Sequence, residues 1–298
     1  YSAGEAVNYS VMVTSAFGCS GTSDGLEVSV NAAPSASVTP SGAVAVCDGS
    51  SQTFTANDGN DLTYQWLKNG NPIPGADGIS LTTGDAGNYS VIVTNATGCS
   101  AVSANSELVV NANPVAGVSA GGATTFCDGS SVELTASPAD AASYQWWKDG
   151  APINGATGQT FVATAAGSYA VNVSSSAGCT GTSDAVEVSV NENPVASISP
   201  SGAVGVCAGT AQTFEAGGND LTYQWLHNGN PIPGATNASY TTGDAGAYSV
   251  VVTNTNGCSA QSSTAQLSIN ANPVASITPG GPTTFCNGNS VDLAATEG

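Results

Sequence analysis

One stretch returns along this chain at a nearly fixed interval: Tyr64-Gln65-Trp66, Tyr144-Gln145-Trp146 and Tyr223-Gln224-Trp225, each followed by a Tyr (Tyr89, Tyr169, Tyr248) and then a Cys (Cys99, Cys179, Cys258). The Trp residues stand 80 and then 79 positions apart, 66 to 146 and 146 to 225. Self-similarity at a fixed period is the mark of one supersecondary unit laid out as an array. Asn-rich tetrapeptides ending in Pro34, Pro114, Pro194 and Pro273 place the borders. They give a partial repeat at 1–31, complete repeats at 32–111, 112–191 and 192–270, and a partial repeat at 271–298. Such an arrangement predicts a window of a longer protein, with any export signal or anchor outside it. Residues 17–54 resemble 177–214 more closely than the repeat between them, as in Gly-Thr-Ser-Asp at 21 and at 181, so the repeats alternate in two types.

Within each repeat, short alternating segments rich in Val, Thr, Ser and Tyr are punctuated by Gly, Asn, Asp and Pro, with no apolar stripe of helical period. That pattern predicts an all-β, antiparallel sandwich. In the second repeat strands are expected near 35–40, 42–47, 52–57, 62–68, 79–82, 88–94 and 99–111. Turns are expected at Asn69-Gly70-Asn71-Pro72 and Asp149-Gly150-Ala151-Pro152, and the one-residue deletion of the fourth repeat falls at Gly217-Gly218-Asn219. Each repeat is small for an independent core, so cross-links or neighbours are expected to help. Borders this short leave neighbouring repeats nearly touching.

Charge narrows the function. Two basic residues face 21 acidic ones, a net of -19 with no Arg. A nucleic-acid surface begins with Lys and Arg displacing counterions, so none is expected, nor attraction to anionic lipid. The acidity reads as solubility and repulsion between neighbouring molecules. No run approaches the ~18 apolar residues of a membrane span, so no insertion is expected in this segment. His227 is the only histidine and takes the place of Lys68 and Lys148 in the sister repeats, a surface position. With no second His and no nucleophile elbow there is no catalytic constellation, and an enzyme is not expected. The carboxylates (Asp48, Asp85, Asp128, Asp244, Glu27, Glu187 among them) are spread singly without an Asp-x-Asp-x-Asp-Gly loop, which leaves calcium unsupported and predicts no cofactor. Asn95-Ala-Thr and Asn237-Ala-Ser fit the glycan-acceptor pattern.

A Trp in the third strand and an Asp-x-Gly-x-Tyr corner before the sixth make each complete repeat resemble the immunoglobulin-like superfamily. Closer still, Cys-x-Gly-x-Ser, Tyr-Gln-Trp, Gly-x-Tyr-x-Val and Gly-Cys-Ser together are similar to the tandem repeats of giant surface adhesins of gliding Bacteroidota, exported by the type IX system. The resemblance implies that Trp66, Trp146 and Trp225, with Tyr9, Tyr89, Tyr169 and Tyr248, are structural. The Trp supplies the largest apolar surface of a small core and the Tyr hydroxyl ties the corner. Trp147 stands where the sisters have Leu67 and Leu226. By strand alternation it faces away from Trp146, where packing under a loop is the first expectation and an exposed aromatic contact with a ligand the second.

The cysteines depart from the antibody pattern. Where that superfamily places its core disulfide this chain has Ala56 and Val91, Ala136 and Val171, Ala216 and Val250. Its cysteines lie just before the second strand (Cys47, Cys127, Cys207, Cys286) and just after the sixth (Cys19, Cys99, Cys179, Cys258). In the sandwich these sites are at opposite ends, roughly 20 Å apart for a six-residue strand at ~3.3 Å per residue, whereas a disulfide needs Cα atoms within about 7 Å. Two pairings stay open. Head-to-tail stacking predicts bridges between repeats, Cys47 with Cys179 and Cys127 with Cys258. The rival pairing lies within repeats: 47 with 99, 127 with 179, 207 with 258. Regularly spaced cysteines in so polar a chain point to an oxidising compartment.

These readings lead us to expect a non-enzymatic, extracellular, cell-surface rod: the stalk of a large repeat adhesin or filament whose partners are further repeats of the same chain. The resemblance implies surface attachment or gliding, with cell-surface motility machinery as a partner. The second hypothesis makes the repeats binding modules for polysaccharide, with Trp147 or the loop from Asn69 to Pro74 as contact.

Overall fold

The computed structural model describes residues 1–218 and 221–295. The Gly217-Gly218-Asn219 deletion loop therefore lies partly outside the described residues. No helix occurs among the described residues, and the chain forms immunoglobulin-like sandwiches in tandem. Two compact units divide it. The first comprises Tyr1–Ser119, Thr135–Gln159 and Ala170–Ala185, the second Ala120–Leu134, Thr160–Tyr169 and Val186–Gly298.

The first unit contains the whole of the second repeat. One sheet runs Ser80–Thr83, Gln52–Ala56, Val38–Thr39; the other runs Gly42–Cys47, Ser106–Asn111, Gly87–Thr94, Thr63–Lys68, Asn71–Pro72, with Ser100–Val102 also paired to Gly87–Thr94. Alternation sends Phe54, Trp66, Tyr89, Val91, Val93 and Leu108 into the core between the sheets. All six are at most 1% exposed, so the apolar face of each strand is wholly withdrawn from water. The Trp66 indole donates to Gly78 O at 2.9 Å, which satisfies the one polar atom of that side chain. Beside it the Tyr89 ring stacks on Phe54 at 5.2 Å.

The second unit contains the fourth repeat, built alike. Its sheets run Ile198–Ser199, Gln212–Ala216, Ser239–Thr242, and Gly202–Cys207, Ala265–Asn270, Gly246–Thr253, Thr222–His227, Asn230–Pro231. Trp225 is fully buried and donates to Asn237 O at 2.9 Å, and Tyr248 stacks on Phe214 at 5.2 Å. The third repeat contributes strands to both units. In the first, Trp146 is fully buried and donates to Gly158 O at 2.9 Å; in the second, Tyr169 donates to Ala165 O at 2.9 Å.

The structure differs from the expected strands in three places. Gly42–Cys47 pairs with Ser106–Asn111 in parallel, as does Gly202–Cys207 with Ala265–Asn270, so the sandwiches are not purely antiparallel. The strand expected over 99–111 is two, Ser100–Val102 and Ser106–Asn111. Ser103 ends the first piece, because its Oγ accepts from Val91 N at 3.0 Å while its own N donates to Val91 O at 3.0 Å. Finally, Asn71–Pro72 is a short strand paired to Leu67 and Lys68, leaving Asn69 and Gly70 as a two-residue loop. Both loop residues have positive φ, 51° and 79°, the backbone that an Asn-Gly hairpin turn requires.

Candidate functional site: the cysteine joints

In the first unit, Cys47 is the last residue of Gly42–Cys47, opposite Asn111 in the parallel pair. The chain turns immediately: Asp48 N donates to Asn111 O (2.8 Å) and Ser50 N to Cys47 O (2.9 Å). The Asn113 side chain then donates to Asp48 O at 3.1 Å, tying the border segment to the end of the sandwich. Cys179 closes the turn that begins at Ser175, whose N donates to Cys179 O at 2.8 Å, with Gly178 at φ 81°. The two sulfurs are bonded, with Cα atoms 5.5 Å apart across 132 residues of sequence. Cys179 is 1% exposed, and its Sγ lies 3.8 Å from Asn111 O. Gly181 completes the joint, since a Cβ there would lie 1.9 Å from Pro114 O.

In the second unit, Cys127 stands opposite Asn191, Asp128 N donates to Asn191 O (2.9 Å), and the Asn193 side chain donates to Asp128 O (3.0 Å). Cys258 closes the turn from Asn254, whose Oδ1 accepts from Asn256 N and Cys258 N, both at 3.0 Å. The other end of the same side chain donates to Glu192 O at 2.9 Å. Cys127 and Cys258 are bonded with Cα atoms 5.5 Å apart. One Asn side chain thus shapes the cysteine turn and grips the border backbone.

Cys19, Cys99, Cys207 and Cys286 carry free thiols, so none of the pairings within repeats is present. Cys99 has the turn of Cys258: Asn95 Oδ1 accepts from Cys99 N at 3.0 Å, and Asn95 Nδ2 donates to Ala32 O at 3.0 Å. That donor is the nitrogen a glycan would take, so the Asn95 sequence motif is engaged with the border backbone. Cys207 has the setting of Cys47 and Cys127, with Ala208 N donating to Asn270 O (2.8 Å) and the Asn272 side chain to Ala208 O (3.0 Å). Gly181 and the Asn95/Asn254 clasp were not singled out from sequence. The signal for the first was the Gly-Thr-Ser-Asp motif that marks alternate repeats.

Around the corner tyrosines, Tyr89 donates to Asp85 O (2.7 Å) and Tyr248 to Asp244 O (2.9 Å). The acceptor is a backbone carbonyl, which is why Ala165 serves in the third repeat. Burial, first, raises the Tyr248 hydroxyl above its ordinary pKa of 10.0, and the hydrogen bond with Thr242 works against it. His227 is half-buried rather than a plain surface residue. Its ring stacks on Tyr248 at 4.7 Å and 12°, covering the same face that Lys68 Nζ approaches on Tyr89 at 6.0 Å. Tyr9, in the first partial repeat, is half-buried and donates to Glu5 O at 3.4 Å. Trp147 is half-buried opposite Pro152, and its indole Nε1 is buried with no hydrogen-bond partner. Among the described residues no cluster of three or more His, Cys, Asp or Glu could hold a metal, and no helix is long and apolar enough to cross a membrane.

A family model described as Ig-like domain CHU_C associated matches residues 114–194. No curated protein sequence matches the chain. Among solved structures, an I-band fragment of titin is similar over 78% of this chain and 98% of its own, at 16% identity and TM-score 0.42. Extracellular domains 3–5 of Drosophila OTK are similar over 81% of this chain and 100% of theirs, at 15% identity and TM-score 0.31. Three N-terminal domains of the bacteriophage RB49 highly immunogenic outer capsid protein are similar over 74% of this chain and 94% of theirs, at 16% identity and TM-score 0.32. The chain is an all-β tandem of immunoglobulin-like sandwiches.

Proposed function

We propose that the chain is part of the structural stalk of a large extracellular repeat adhesin or surface filament, serving surface attachment or gliding. The observation that supports this reading is the pattern of bridges: each joins the early cysteine of one repeat to the late cysteine of the next. Cross-links between consecutive beads restrain bending and separation, which a carrier of force needs and a freely jointed display of binding modules does not. Cys99 and Cys207, set in the backbone frames of their bonded sisters, are half-joints for further repeats of the same kind. An oxidising, extracellular setting follows from the bridges, and type IX export is the route that the repeat style suggests.

Small-angle scattering of the full chain before and after reduction tests the stalk. A rigid rod-like profile that loosens into a distribution of bent forms on reduction supports it. A profile that is already flexible when oxidised overturns it. Binding of the oxidised chain to a polysaccharide array, abolished by Trp147→Ala, would move the assignment to the module reading.

A further inference from the structure

The two bridges span 47–179 and 127–258, so their covalent loops share the segment 127–179. From this overlap we infer that the bridges form a redundant limit on extension, in which either one alone withholds most of the length that the two together withhold from tension. Tension applied to the ends follows the shortest covalent route, whatever happens to the sandwiches. With both bridges the route runs Tyr1 to Cys47, across to Cys179, back to Cys127, across to Cys258, and on to Gly298. Those legs are 46, 52 and 40 peptide units, about 138 together, against 297 in the unbridged chain. At ~3.5 Å per residue the limiting lengths are roughly 480 and 1,040 Å.

Overlap makes the two contributions strongly non-additive. With only Cys127–Cys258 left, the legs are 126 and 40, about 166 units; with only Cys47–Cys179 left they are 46 and 119, about 165. Loss of the first bridge therefore lengthens the limit by about 28 units, roughly 100 Å, and loss of the second by about 131 more, roughly 460 Å. Pairing within repeats has a different signature. Bridges 47–99 and 127–179 would each withhold about 52 units, and their losses would simply add. A tether with overlapping loops lengthens by only about a fifth when one disulfide breaks and yields the rest of its length only when both are cut. The inference rests on connectivity alone and stands whether or not the protein is a stalk.

Single-molecule stretching of the full chain, held by terminal tags rather than thiols, reads these lengths directly. The oxidised chain is expected to stop near 480 Å. The Cys47→Ser/Cys179→Ser and Cys127→Ser/Cys258→Ser variants should each stop near 580 Å, and the chain reduced with dithiothreitol near 1,040 Å. Limiting length does not depend on folding, so a destabilised variant is still informative, and peptide mapping of unreduced protein confirms the bridge that remains. Equal increments for the first and second bridge lost, or an oxidised chain as long as the reduced one, would overturn the inference.

Discussion

Ser103, Ser183 and Ser262 occupy one position in three repeats, and each is buried with its Oγ accepting from a core backbone N–H: Val91, Val171 and Val250, at 3.0, 3.0 and 3.1 Å. The hydroxyl replaces a ladder partner where the last strand breaks. Ser103→Ala should therefore leave Val91 N–H buried and unpaired, and lower stability by about 1–3 kcal/mol in denaturant unfolding; a change within ~0.3 kcal/mol would mean water fills the gap. Tyr248 gives a pH prediction. Its hydroxyl ionises above 10.0 in the folded chain and near 10.0 when unfolded, so at higher pH the unfolded state holds fewer protons and stability falls as pH rises through that window. Alkaline titration should show the Tyr248 phenol ionising above 10.0, together with loss of structure, and Tyr248→Phe should remove that step. The Trp and Tyr positions were legible in the sequence because a large aromatic at a fixed period has few other uses in a small core. Ser103 was not, because a hydroxyl in a Ser-rich chain carries no signal until its neighbour across the strand is known.

At the level of elements, the joint between a parallel strand end and a cysteine turn depends on close backbone approach. Gly181→Ala places a Cβ 1.9 Å from Pro114 O, a contact that only movement of the border backbone relieves. We expect a loss of about 1–3 kcal/mol and faster reduction of Cys47–Cys179, followed by thiol labelling, with Cys127–Cys258 unaffected. Unchanged reduction of both bridges would show that the border moves freely. The opposite placement of the two cysteine classes could be read from their positions relative to the Tyr-Gln-Trp and corner motifs. Parallel pairing of Gly42–Cys47 with Ser106–Asn111 could not, since alternation reports which face a side chain takes and not which strand lies alongside.

Across the whole molecule, 21 carboxylates against two ammonium groups leave the ion pairs few and weak. Lys68–Asp85 at 3.4 Å is one-third and four-fifths exposed at its two ends and contributes little. Net repulsion instead keeps copies apart, and it vanishes near the isoelectric point of about 4.1. Light scattering should detect reversible association as pH falls toward 4, and at neutral pH as salt shortens the reach of the repulsion to about 10 Å at 0.1 M. Association that ignores both variables would point to an apolar surface instead. The tandem of sandwiches was plain from periodicity, whereas the way the third repeat contributes to both compact units depends on contacts that no single repeat encodes.

The register of the second repeat also governs how its thiols meet their mates. Cys47 stands level with Asn111, three residues past the point where Gly87 faces Leu108, while Cys99 follows Thr94 at the far end of the same hairpin. About ten residues at ~3.3 Å hold these two sulfurs some 30 Å apart once the bead has formed. A nascent chain that oxidised before folding would join Cys47 to Cys19 or Cys99, the thiols nearest to it in sequence, and trap itself. Correct maturation demands that each bead close first and that Cys47 wait, reduced, until Cys179 has been made 132 residues later.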